Sequence, residues 1–492
     1  MTRSVVVGAG LAGLAAAMHL AAAGREVTVL ERADDVGGLA ASASVHGADG
    51  AAYRLDTGPT VLTMPALLAR PFEDLGEDLA DWVTLHRLDP AYRMHFADGS
   101  SLDVSADPPV MAERIAAFAG PRDAQGYLRW VDWVSRLYAA QFPTFIDADV
   151  DSVLRLVNPH LARVAALRGF GRLGRAVARF VADDRLRRVL SFQALYAGVS
   201  PARALALYAV IGYMDLVEGV SYPEGGMSAV PEAMAAAARA HGVQIVTDTA
   251  ATGVTWRGGR AVEVHAGERS WPCEELVVTL DAPAAYRLLG RDPAKVDARR
   301  HSPSCVVLAA GLTSRWHTAP TVHHSMHFGR AWDEVFDDLE SGRVMRDPSW
   351  LLSVPSATSG GLAPDGGHVA YVLFPAPNLA TGPDAAAWQR ERGPSLERIL
   401  ATVADAGHPD FAGALDGSTL LTPADWAERG LAAGTPFAAA HTVDQTGPWR
   451  TPQRVAANVV LAGASTTPGV GVPMVLVSGR LAARRLLERE RS

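Results

Sequence analysis

At 492 residues the chain has apolar area for two interleaved domains, and its 49% hydrophobic and 20% charged composition excludes a disordered protein. The net charge of -8 argues against nucleic acid as the main partner, because phosphate binding needs a clustered basic surface. Only two cysteines, Cys273 and Cys305, are present, with no CxxC or Cys/His spacing, so neither a disulfide framework nor a zinc site is indicated and the cytosol fits best.

Residues 4–7 form a short β-branched run suited to a buried parallel strand. They lead straight into Gly8-Ala9-Gly10-Leu11-Ala12-Gly13 and an alanine-rich helix, a GxGxxG in the context that a dinucleotide site requires. Gly8 permits the tight turn, Gly10 lets backbone approach a pyrophosphate, Gly13 allows close helix–strand packing, and the helix start supplies N–H donors. A second strand, 26–30, ends at Glu31, about twenty residues on, where a carboxylate can accept hydrogen bonds from a ribose. The almost continuously apolar stretch 5–23 mimics a signal peptide. Its three glycines, placed where a strand must turn into a helix, argue against that reading. The longest apolar run elsewhere, 204–214, is short of the roughly 20 residues that a bilayer span needs.

Beyond Glu31-Arg32, the pair Gly37-Gly38 and the segment Asp56-Thr57-Gly58-Pro59-Thr60 add more glycine-rich backbone than a nicotinamide site requires. Aromatics at Trp130, Trp133, Tyr138, Phe142 and Phe145 follow helical spacing, which is core packing more often than a tunnel lining. Arg168, Arg172, Arg175 and Arg179 recur at helical intervals among Phe170, Leu173, Val177 and Phe180, which describes a basic amphipathic surface weakened by three glycines. Those glycines, Gly169, Gly171 and Gly174, repeat GxGxxG letter for letter. The motif is a decoy, since residues 161–167 before it read as helix and no second strand ending in an acid follows. Further on come a helix over 228–240, strands at 243–246 and 275–280, and a hairpin turn at Arg257-Gly258-Gly259-Arg260. β-like runs follow at 305–309 and 369–374. Residues 458–462 read as a strand, 463–471 as a glycine-rich loop, and 474–488 as a helix behind Pro473, a residue well placed at a helix start.

The stretch 5–42 resembles the extended signature of the glutathione-reductase-like flavoprotein superfamily. Three segments go further: Arg54-Leu55-Asp56-Thr57-Gly58-Pro59-Thr60, Tyr222-Pro223-Glu224-Gly225-Gly226-Met227, and Gly463-Ala464-Ser465-Thr466-Thr467-Pro468-Gly469-Val470-Gly471-Val472-Pro473. Together with Ser191 to Gly198 they are similar, in order and nearly end to end, to the bacterial and fungal phytoene desaturases of carotenoid synthesis. The resemblance implies an α/β fold: a Rossmann FAD-binding domain of three pieces (1–75, 217–285 and 440–492), a helical substrate and membrane-facing region (76–216) and a mixed α/β substrate domain (286–439).

In such a fold FAD lies on Gly8, Gly10, Leu11, Ala12 and Gly13 at its pyrophosphate. Glu31 and Arg32 stand at its ribose, and Gly37, Gly38, Leu39, Gly58, Pro59 and Thr60 lie along its length. Gly463, Gly471, Val472 and Pro473 reach its isoalloxazine. Leu39 departs from the arginine that related desaturases commonly carry there. The implied reaction is stepwise dehydrogenation of an apolar C40 polyene, with hydride transfer from an allylic C–H to flavin N5 in a dry tunnel. The flavin is then reoxidised by oxygen or a quinone. Candidate proton acceptors are Asp151, in the acidic stretch with Asp147 and Asp149, and Glu224, beside the expected flavin loop. A substrate soluble only in lipid implies peripheral attachment to a membrane, with the 168–180 stretch as one candidate contact. A flavin-dependent polyene isomerase and an amine oxidase are the enzymatic rivals. Against the second, the only lysine, Lys295, lies in a polar connecting stretch, whereas amine oxidases of this superfamily generally keep a lysine near flavin N5.

Overall fold

The computed structural model describes residues 1–148, 150 and 158–488. Its first sheet has six strands in the order Gln244–Val246, Glu26–Leu30, Arg3–Val7, Glu275–Val278, Val459–Leu461 and Arg454–Ala456. The first five run parallel, and the last strand is an antiparallel edge. Val5, Val6, Val7, Val27, Val29 and Leu30 are all buried, as expected of parallel strands covered on both faces. Three distant stretches of chain therefore build one sheet.

The alanine-rich helix Leu11–Ala22 explains its own composition, because small side chains let other elements approach it closely. The final helix, Val472–Leu487, packs so tightly against it that a Cβ on Gly479 would collide with the Ala12 carbonyl oxygen. The two ends of the chain are thus neighbours. The glycine pair at 258–259 makes the expected hairpin, joining Gly253–Arg257 to Arg260–Ala266 with φ of 54° and 74°, values suited to a type I′ turn.

A second sheet has seven strands in the order Leu415–Leu421, Ser304–Leu312, His368–Ala376, Trp350–Ser353, His324–Phe328, Tyr92–Phe96 and Ser101–Val104. The region 76–216 is therefore less helical than its pattern suggests, since it contributes two strands to this sheet. Tyr92, Met94 and Phe96 face inward while Arg93 and His95 alternate with them. Helices begin at Pro108–Ala119, where Asp107 accepts the Val110 N–H, and continue through Pro121–Gln141. Trp130 and Trp133 of the second helix are buried, and Tyr138, Phe142 and Phe145 pack against the core.

The 168–180 stretch does not form one amphipathic helix. Arg168 takes a left-handed φ of 59°, and only Leu173–Val177 is helical. The N–H groups of Leu173 and Gly174 bond to the carbonyls of Ala204 and Pro201, so tertiary partners replace the helix ladder. Leu173 and Val177 are buried, leaving Phe170 as the exposed apolar residue of the set beside four exposed arginines. The GxGxxG copy here indeed follows a helix, Pro159–Ala166.

Candidate functional site

The first turn is built as a cradle. Gly8 has φ 104°, and a Cβ there would strike the Thr279 hydroxyl, which donates to the Val7 carbonyl at 2.9 Å. A Cβ on Gly13 would collide with the Gly8 carbonyl oxygen, so helix and strand approach as closely as backbone allows. Gly10 differs. Its φ is -76°, and the nearest atoms to a Cβ, Gly37 O and Gly38 Cα, stand 3.9 Å away. Packing among the described residues does not demand glycine at this position, a bareness that suits a ligand. The helix start behind it has no side-chain cap and no acid in its first turn, which leaves N–H donors and a favourable dipole for a pyrophosphate; Leu11 and Ala12 occupy that turn, both buried.

The expected flank assembles around this turn. Glu31 is 8% exposed, and its carboxylate accepts the Ala9 N–H at 2.7 Å and the Ala33 N–H at 2.9 Å, which fixes it between the glycine turn and the end of the second strand. Gly37 donates to the Ala9 carbonyl at 2.9 Å and bridges Gly10. Gly37 and Gly38 have φ of 117° and 58°. Leu39 is half-buried against the core, and its carbonyl lies where a Cβ on Gly58 would be. Pro59 follows, and the buried Thr60 turns its carbonyl to His324 Nε2 at 3.2 Å. Arg32 is exposed and donates to the Arg429 carbonyl, so its guanidinium is directed to a neighbouring loop.

The C-terminal half of the cradle is held by a buried polar network. Gly463, φ 110°, donates to Ser478 Oγ at 3.0 Å, and Thr466 Oγ1 lies 2.9 Å from that same hydroxyl. Arg450, 2% exposed, donates to the Thr466 and Ala464 carbonyls at 2.9 and 2.7 Å; burial lowers its guanidinium to about 10. The final helix opens at an uncapped Gly471, φ 116°, with Val472 and Pro473 in its first turn and no acid there. A second set of free N–H groups therefore faces out of the loop. Two bare helix starts, one open glycine and a pinned carboxylate fit an elongated dinucleotide with a negative centre.

Residues 54–60 and 222–227 meet through Asp56, to which the sequence alone assigns no role. Asp56 is buried; its carboxylate accepts the Tyr222 O–H at 2.6 Å and the Met227 N–H at 3.0 Å. Burial raises its carboxyl to about 6 despite those bonds and the nearby Arg54. The signal was its presence inside one motif facing a tyrosine in another. Arg450 lies in none of the quoted segments, and nothing local marks it.

Of the proton-acceptor candidates, Asp147 and Glu224 lie among the described residues. Asp149 and Asp151 lie outside the described residues. Asp147 is bracketed by Arg70 at 3.0 Å and Arg480, which ties the helical region to the final helix. The Glu224 side chain is 46% exposed and pins a surface loop, meeting His86 Nε2 at 2.7 Å while accepting from the Ser359 hydroxyl and the Gly360 N–H.

Residues 11–487 match the family model of the flavin-containing amine oxidoreductases. A phytoene dehydrogenase of Streptomyces griseus is 51% identical over 98% of this chain and 94% of its own length. A zeta-carotene-forming phytoene desaturase of Myxococcus xanthus is 33% identical over 99% of this chain and 94% of its own. Among solved structures, putrescine oxidase bound to putrescine superposes with a TM-score of 0.61 at 17% identity, covering 100% of this chain and 99% of that one, a likeness of fold. FAD is the cofactor, and the cradle's bare helix starts and pinned carboxylate fit a dinucleotide. A chain that matches a family model over residues 11–487 and these relatives over nearly its whole length belongs to the phytoene dehydrogenases and desaturases within the flavin-containing amine oxidoreductase family.

Proposed function

We propose that this protein desaturates a long apolar polyene of the phytoene type, giving neurosporene- or lycopene-like products. The observation that carries the reading is the full-length 51% identity to a phytoene dehydrogenase, joined to a cradle in which both ends of the chain meet. Bound FAD supplies a two-electron acceptor for hydride, and oxygen or a quinone takes the electrons from it. The protein's part is to hold that acceptor and orient an allylic C–H in a dry site, because the substrate has no heteroatom to polarise. Gly8, Gly10 and Gly13 seat the pyrophosphate, Glu31 the ribose, and the start of the final helix the charge that grows on the ring's pyrimidine edge. Lys295 sits exposed on the short helix Ala294–Asp297, which disfavours amine oxidation.

Attachment to a membrane belongs to the same reading. Among the described residues no helix is long and apolar enough to cross a bilayer. Phe170, Val443 and Trp449 are exposed, and Val443 lines a cavity of about 290 Å3 together with Arg172, Arg203, Arg300 and the buried His441. Glu340 pairs with two of these arginines and Asp444 stands at the rim, so the cluster is only partly neutralised. A Cβ on Gly469, in the flavin loop, would strike the His441 ring, so the cavity ends against that loop. Apolar tips among arginines suit an anionic lipid surface.

Liposomes carrying phytoene, mixed with the protein and FAD, are expected to turn coloured as conjugation lengthens. Unchanged phytoene beside turnover of an amine overturns the assignment, and a geometric isomer with no new double bond moves it to the isomerases.

A further inference from the structure

Asp215 lies in the π-helical turn Met214–Glu218, just before the strand Val220–Pro223 that pairs with Leu62–Thr63 at the end of the flavin-binding segment. Turns of this kind are frequent at functional sites. Its side chain is 4% exposed, and among the described residues no arginine, lysine or histidine forms an ion pair with it. The Tyr92 hydroxyl donates to it at 3.3 Å. The Gln193 amide faces it without a well-aligned bond, so that donor stays open. Gly212 lies between Gln193 and the Trp130 ring, and the Trp130 Nε1 is another buried donor lacking an acceptor. An unpaired carboxyl in such a place is costly, and an asparagine would fill it with less penalty.

The position matters as much as the burial. The Tyr92 ring stands 5.3 Å from the His324 ring, whose Nε2 is 3.2 Å from the Thr60 carbonyl. Asp215 is therefore one hydroxyl and one imidazole away from the segment proposed to lie along FAD, where the turn Met214–Glu218 meets the strand Tyr92–Phe96 of the seven-stranded sheet.

We propose that Asp215 is the base that receives the proton lost from the polyene in each desaturation, an inference that rests on the desaturase reading above. One C–H bond breaks with its electron pair leaving as hydride to the flavin, which is the oxidant and is reduced by two electrons. The neighbouring C–H bond breaks with its pair becoming the new C=C bond, and its proton goes to the Asp215 carboxylate. Burial raises this carboxyl to about 7 against the bond from Tyr92 and the nearby Gln193 amide, so it is poised near neutrality. The groups facing it are Tyr92 from the strand Tyr92–Phe96 and Gln193, with His324, kept neutral by burial, behind Tyr92. On its own turn, Glu218 is occupied by the Tyr213 hydroxyl at 2.8 Å.

The test uses the full chain loaded with FAD, in phytoene liposomes without oxygen, following the bleaching of flavin absorbance in one turnover from pH 5.5 to 9. The wild-type rate should rise through about pH 7 and level off, since the base works only when ionised. Asp215→Asn should keep its FAD, lose roughly 100-fold in rate and lose that limb, and Asp215→Glu should recover part of the rate. A second readout needs no flavin. A carboxyl whose folded value is raised costs stability as pH climbs from about 4 to about 7, so apoprotein Asp215→Asn should gain on wild type at pH 8 and not at pH 4. Asp215→Asn bleaching at the wild-type rate, or keeping the limb, overturns the proposal. Should that variant not fold, Tyr92→Phe decides: loss of its hydrogen bond should move the limb to higher pH, and an unmoved limb overturns the proposal. Wild type that leaves phytoene and flavin unchanged would sink the desaturase reading instead, while the stability difference would still report the buried carboxyl.

Discussion

Gly10 and Gly13 carry the same letter for opposite reasons, and substitution separates them. A methyl group on Gly13 would enter the Gly8 carbonyl, so Gly13→Ala should destabilise the apoprotein by about 1–3 kcal/mol, as overpacking generally does. At Gly10 the same methyl group meets protein only at 3.9 Å with an ordinary φ, so Gly10→Ala should fold as wild type and lose FAD affinity at least about tenfold, or about 1.4 kcal/mol. Thermal unfolding of apoprotein and titration with FAD measure the two effects separately. Equal loss of stability in both would mean that Gly10 is a packing residue. The motif is legible as a string, and the division of labour inside it needs coordinates.

At the scale of elements, legibility follows how locally each one is determined. The strand, turn and helix at 3–22, the hairpin at Gly258-Gly259 and the last helix are specified by residues a few positions apart, and they form close to where their patterns place them. The strand Tyr92–Phe96 is not so determined. Its five-residue alternation is too short to stand out, and its register comes from parallel pairing with His324–Phe328, where Met94 faces Met326. The arginine run at 168–179 errs in the other direction, since helical spacing is present but the strand-like contacts of Leu173 and Gly174 with 201–204 take its N–H groups. Asp56 and Tyr222 could be seen in their motifs, but not that they touch. The last helix carries a test at this scale. Gly479→Val would push it off the Ala12 backbone, tilting the uncapped start at Gly471 away from the isoalloxazine. The variant should melt earlier and bind FAD more weakly than wild type, both by calorimetry. Unchanged FAD binding would show that the contact between the two helices does not position the loop.

For the whole molecule, charge and exposure must be weighed together, because a protein of net charge -8 is repelled on average by an anionic bilayer. The proposed attachment then depends on presenting one face, and Phe170 lies among the exposed Arg168, Arg172 and Arg175. Arg168 and Arg175 are exposed beside Phe170, and each cation close to an anionic surface contributes about 1 kcal/mol. Replacing both with glutamine should therefore weaken binding to vesicles containing phosphatidylglycerol by about 2 kcal/mol, roughly thirtyfold, with little effect on neutral vesicles. Phe170→Ser with Trp449→Ser should weaken binding to both kinds, since it removes the exposed apolar tips proposed to enter the acyl region. In each variant FAD content should remain that of wild type, because none of these residues lies in the cradle. Cosedimentation with vesicles reads all of this. Arginine variants that bind anionic vesicles as tightly as wild type would place the docking face elsewhere.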